Sequence, residues 1–204
     1  MAISSSCITA CGLSRLVYQR LDMEILLNAT LAGGVAVGSA SDLVVTASVA
    51  MLIGGAAGIV SAFGFMKLSG FLQEKIGLHD TCGVHNLHGL PGIMGGLIGG
   101  LSAAMSGSAN AFDEAAQKAT FTAMQDGRTA QEQGLMQIAA LGVTLGLAIL
   151  GGLASGFLVS NCCAPNHLFD DEENFTEVEF DVPLDEMAGD RRTEAEKLRL
   201  TNIQ

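Results

Sequence analysis

A chain of 204 residues with 49% hydrophobic residues, 15% charged ones and a mean hydropathy of +0.42 carries more apolar surface than its charges keep in water. A membrane protein is the reading this favours. The net charge of −11 argues against nucleic-acid binding, since neutralising phosphates takes clustered Lys and Arg and only ten are present.

The charge is segregated along the chain. Twelve of the 21 acidic residues lie between Asp170 and Glu196, whereas Leu43 to Met66 and Gly134 to Ser160 hold none. This predicts a membrane domain over 21–162 and an acidic tail over 163–204.

In chain order, residues 1–20 lack the basic start of a leader peptide, and their apolar run is broken by Ser and Cys. They read as the truncated end of a membrane helix. Ile25 to Ser41 is short and rich in small residues, with Asn28 as a candidate cap, and reads as a helix packed inside protein. A helix rising about 1.5 Å per residue needs roughly 20 apolar residues to cross the hydrocarbon. Leu43 to Met66, Cys82 to Met105 and Gly134 to Ser160 meet that length. The expectation is an all-α integral membrane protein with helices near 25–41, 43–66, 82–105 and 134–160.

Arg15, Arg20, Lys67 and Lys75 fall in alternate connections, which assigns those loops, and with them the tail, to the cytoplasmic side. The Asn28-Ala29-Thr30 and Asn174-Phe175-Thr176 triplets then lie on the side where glycosylation does not occur, and read as chance matches. Cys7, Cys11, Cys82, Cys162 and Cys163 show neither the spacing of a zinc site nor the density of a disulfide scaffold.

The stretch from His79 to Gly100 concentrates the chemistry. Gly92, Gly96 and Gly100 recur every four residues, a helix-packing device that lets a neighbouring backbone approach closely. His85, Asn86 and His88 sit in a segment otherwise suited to lipid, where polar side chains need a partner, a cavity or a pore. An α-helical spacing of three would stack His85 and His88 on one face. A neutral imidazole has one donor and one acceptor nitrogen, so such residues either line a polar path or hydrogen-bond a neighbouring helix. Two His without a suitable carboxylate or second thiol make a poor metal site, and none is expected. Asp80, just before the apolar run, is the better capping candidate than His79.

Asp80-Thr81-Cys82-Gly83-Val84-His85-Asn86-Leu87-His88-Gly89-Leu90-Pro91-Gly92 resembles the signature of Rh glycoproteins in the ammonium transporter family, and Asn28 to Gly38 resembles a second block upstream. The resemblance implies a trimer whose protomers have about eleven or twelve membrane helices, of which this length supplies about four or five. Each protomer would hold a narrow apolar pore for ammonium, conducted as ammonia with or without a separately moving proton. His88 matches the second of the family's two pore histidines, and His85 falls at a variable position, giving it a vestibule role. The other pore histidine, the aromatic gate and the acidic recruiting residue belong to the half of the family fold that this chain does not match.

Two functions follow as expectations. One is ammonium transport in a plasma-membrane channel, as a homotrimer or together with full-length relatives. The other is a non-conducting structural or regulatory membrane protein that associates with such relatives. No enzyme activity or cofactor is expected, since no nucleophile and base, nucleotide loop or metal set is apparent.

Overall fold

The computed structural model describes residues 1–19, 21–43, 46–80, 82–106 and 114–162, and all regular structure among them is helical. The acidic tail over 163–204 lies outside the described residues. The described residues up to 145 form one compact unit, and those from 146 to 162 belong to a second.

In the first unit, helix α1 (Ala2–Tyr18) packs against α2 (Met23–Gly38) and α3 (Ala47–Phe63). Its buried residues, Ala2, Ser6, Ala10 and Ser14, recur every four positions and make a stripe of small side chains. Glycines of the neighbouring helices meet that stripe. A Cβ on Gly54 would stand 2.1 Å from the Ala2 carbonyl oxygen, one on Gly58 2.5 Å from that of Ser6, and one on Gly33 2.6 Å from that of Ala2. Backbones this close exclude any side chain, and dispersion replaces the hydrophobic drive that lipid removes. Hydroxyls add specificity: Ser6 donates to the Ala29 carbonyl, and Thr9 Oγ1 donates to Gly55 O at 3.0 Å. Within the expected 1–20 segment, Ala2–Tyr18 form a 17-residue helix at the centre of this packing.

Helix ends explain where the observed elements differ from those expected. Asp22, not Asn28, caps α2: its Oδ1 accepts from Ile25 N at 3.1 Å, while Asn28 lies inside the helix and donates to Glu24 O. Thr46 Oγ1 accepts from Val49 N and starts α3 at Ala47. After α3 the helix does not stop at Met66. It continues through a wide π-helical turn, Gly64–Leu68, into α4 (Ser69–Ile76) and ends at Gly77, whose φ of 67° is the left-handed geometry common at helix C-termini. A second wide turn, His85–Gly89, leads into α5 (Leu90–Ala104). The short helices α6 (Glu114–Thr120) and α7 (Thr122–Gln125) precede α8 (Ala130–Cys162). At the start of α8, Thr129 and Glu132 form a reciprocal capping box: Glu132 Oε2 accepts from Thr129 N at 2.9 Å, and Thr129 Oγ1 from Glu132 N at 3.3 Å.

Among the described residues, three stretches are long and apolar enough to cross a membrane: Ala47–Ile76 with 30 residues, His85–Ala104 with 20 and Ala130–Cys162 with 33. Within the first unit α5 has a different neighbour on each glycine row. A Cβ on Gly95 would stand 2.8 Å from Ala36 O of α2, whereas those on Gly96 and Gly100 would stand 2.8 Å from Leu141 and 2.7 Å from Ile138 of α8. Gly92 has nothing within 4 Å of its added carbon. In the second unit, Gly146 to Cys162 of α8 continue as helix, with Leu147, Leu150, Leu153, Phe157 and Leu158 exposed.

The close approach of α1 and α3 predicts that Gly54→Ala destabilises the chain by about 1–3 kcal/mol, because the obstacle is backbone. Gly12→Ala, with open space around it, is neutral or slightly stabilising. Thermal melts in detergent, read by size-exclusion fluorescence, should separate the two. Asp22→Ala removes the α2 cap and should cost about 1 kcal/mol in the same melt.

Candidate functional site

The second wide turn has a cause in the sequence. Pro91 has no N–H to offer the Leu87 carbonyl, and its ring crowds that carbonyl in an ordinary α-turn. Widening the preceding turn relieves the clash. Its i→i+5 hydrogen bond is seen where Leu90 N donates to His85 O. Immediately upstream Gly83, at φ 66°, reverses the chain, and an added Cβ there would stand 2.2 Å from the Phe65 ring. Asp80 starts the new helix with both carboxylate oxygens, accepting from Val84 N at 2.9 Å and from His85 N at 2.8 Å.

The wide turn changes the relation of the two histidines. A three-residue spacing brings side chains together in an α-turn or a tighter one, and the wider i→i+5 turn increases the angle between His85 and His88. The His85 ring instead lies over Gly89, whose added Cβ would be 3.6 Å from His85 Cδ2. His85 is half-buried and His88 is exposed. The expectation that the two imidazoles stack on one side is therefore corrected, and the reason is the local helix pitch set by Pro91.

Between these histidines in sequence, Asn86 points the other way and is fully buried. It seats against the first wide turn: an added Cβ on Gly64 would fall 2.4 Å from Asn86 Oδ1. Its Nδ2 donates to Ser69 Oγ at 2.6 Å, and its Oδ1 lies 3.3 Å from His85 Nδ1. The two π-helical turns thus face each other across one buried amide, and a side chain inserted where a helical ladder widens is a recognised cause of such turns. Sequence reasoning noted Asn86 as polar in an apolar span but missed Gly64 and Ser69, which lie about one helical turn apart on another helix. Pro91 was the available signal for the wide turn.

Beside this link is an open cleft of about 250 Å³, lined among others by Tyr18, Asp22, Glu24, Phe65, Ser69 and Asp80. Carboxylates lining a cleft favour cations near it. Asp22 and Asp80 also hold backbone N–H groups at helix starts, so each carboxylate is fixed in direction. Among the described residues no group of three or more His, Cys, Asp or Glu side chains is placed to hold a metal ion.

Comparison with known proteins gives a consistent picture. Residues 1–165 match the family described as Ammonium Transporter Family. The chain is 47% identical over 141 residues to "Ammonium transporter Rh type B" of Xenopus tropicalis, covering 69% of this chain and 30% of that protein. It is 43% identical over 161 residues to "Ammonium transporter Rh type A" of Mus musculus, covering 78% and 32% respectively. A solved structure of Nitrosomonas europaea Rh50, concerned with conduction by the Rhesus protein family of channels, superposes with a TM-score of 0.62 at 30% identity. That match covers 98% of this chain and 44% of the other. The chain thus spans about a third of the length of the curated relatives it matches. With an all-helical fold that superposes on an Rh channel and a family match extending from residue 1 to 165, the chain belongs to the ammonium transporter family, in its Rh-type branch.

Proposed function

We propose that the chain forms part of a channel that moves ammonium across a membrane as ammonia, with His88 and His85 lining the path. The observation that carries this reading is a π-helical turn presenting two imidazoles at the start of a span otherwise suited to lipid, in a chain of this family. An ion in an apolar passage loses its hydration, so the neutral molecule passes far more easily than the cation. A neutral imidazole can accept a hydrogen bond from ammonia or take the proton that ammonium must release. The carboxylate-lined cleft beside the turn would raise the local concentration of cation. Gly92 would serve packing against elements contributed by another segment or chain, alongside the α8 contacts of Gly96 and Gly100. A homotrimer or association with full-length relatives, a plasma-membrane location and a cytoplasmic tail over 163–204 belong to the same proposal.

A second reading is that the chain joins complete Rh-type proteins without conducting. The exposure of His88 supports it. The two readings separate in cells lacking their own ammonium transporters, with labelled methylammonium uptake measured for the chain alone, for a complete Rh-type relative, and for both together. Uptake by the chain alone, or uptake added by it to the relative, supports conduction. Co-purification with the relative and no change in uptake supports the second reading. If the chain conducts, His88→Ala should lower uptake severalfold or displace its pH dependence, and an unchanged rate and pH profile would remove His88 from the path.

A further inference from the structure

We propose that Asn86 is a positioning residue that holds His85 in a single tautomer, protonated at Nδ1, with Ser69 of the neighbouring helix setting the direction of the amide. The geometry stands independently of the channel reading, and its consequence for conduction rests on that reading.

The argument starts from burial. Asn86 is fully buried in an apolar region, where an unsatisfied amide is costly, so its oxygen and nitrogen must each find a partner. Ser69 Oγ stands 2.6 Å from Nδ2 and His85 Nδ1 stands 3.3 Å from Oδ1. The direction of the amide follows from its third neighbour. Of the Asn86 atoms, Oδ1 comes nearest to the space beside the Gly64 α-carbon, where an oxygen meets a weak C–H donor and an NH₂ would meet hydrogen against hydrogen.

With the oxygen on that side, the nitrogen faces Ser69. A carbonyl oxygen only accepts, so the His85 nitrogen facing it must carry the hydrogen. The other ring nitrogen, Nε2, is then an unprotonated lone pair. A free neutral histidine side chain favours hydrogen on Nε2, so the contact with Asn86 reverses the ordinary preference. Asp80 holds the same residue by its backbone N–H at 2.8 Å, which limits the ring to side-chain rotation. His85 is thereby fixed as an acceptor at Nε2, the form that takes a hydrogen bond or proton from an ammonium-like donor.

The test reads the tautomer directly. Histidine labelled with ¹⁵N is incorporated into the chain in lipid nanodiscs, the His85 signals are assigned by their loss in His85→Gln, and the spectra are taken where the ring is neutral. The wild type should show the Nδ1–H form. Asn86→Leu and Ser69→Ala should move the tautomer ratio toward Nε2–H by roughly fivefold to tenfold, the worth of one net hydrogen bond. Asn86→Asp should retain the Nδ1–H form, since a carboxylate accepts from both His85 and Ser69, and this rescue would not follow from loss of packing alone. If Asn86→Leu fails to fold, Ser69→Ala, which removes only one oxygen, carries the test. A wild type dominated by Nε2–H, or a ratio unmoved by Ser69→Ala and Asn86→Leu, overturns the proposal. Methylammonium uptake against pH, for the same variants in whichever of the preparations above conducts, separates the two levels: a moved tautomer with an unchanged uptake profile upholds Asn86 as positioning His85 and removes His85 from the path.

Discussion

The fold depends on the close approach of backbones that carry almost no side chain. Lipid offers an apolar side chain as good an environment as protein does, so helices suited to it associate through dispersion and hydrogen bonds, both of which need short distances. Here the small stripe of α1 meets Gly33, Gly54 and Gly58. That contact brings α2 and α3 around one central helix. The shared clusters of Ala29, Ala62, Ile25 and Ala10, and of Ala32, Ala36, Ile53 and Ala57, follow from it. The short side chains leave hydroxyls of Ser6 and Thr9 within reach of carbonyls on neighbouring helices, which gives a register that smooth apolar surfaces would lack.

The same economy of side chains makes room for the polar link. Gly64 lets Asn86 enter the wall of the α3–α4 helix, and Gly83 lets the Phe65 ring close over the start of the next span. A side chain at either position would keep the two wide turns apart. Pro91 and Asp80 then act from opposite ends of the second turn: the proline widens it, and the aspartate fixes its first N–H groups. Three polar positions within four residues carry different duties as a result. His85 is half-buried against Asn86, Asn86 is buried against another helix, and His88 is exposed, one wide turn further on.

Exposure in this chain has a particular meaning within the ammonium transporter family. Apolar residues on α8, such as Leu147, Leu150 and Phe157, are exposed here, and a span of this composition is at home against lipid or other helices. In the proposed channel the exposed side of His88 would face further helices, from a longer chain or a partner. A pore histidine acts only where apolar walls on all sides exclude water, so the environment of His88 is the part of the proposed site that depends most on what surrounds it.

Much of this was legible in the sequence for a simple reason. Membrane spans follow from length and the absence of charge, and the uncharged runs over 43–66 and 134–160 needed no tertiary knowledge. Asp80 as a cap followed from its place just before an apolar run, and the motif around His88 carried the family. The helix ends were less legible, because caps are chosen by geometry among several eligible residues: Asp22 serves where Asn28 was eligible. The stacking of His85 on His88 failed because pitch is a tertiary and proline-dependent property, while the three-residue rule assumes an α-turn. The link from Asn86 to Ser69 and Gly64 was beyond the sequence altogether, since those residues are about 20 positions apart and only the packing of two wide turns brings them together. The sequence by itself determined that polar groups would sit within an apolar span, because composition decides what must be buried. Only the tertiary structure decided which group each would face, because that depends on where a neighbouring backbone has no side chain.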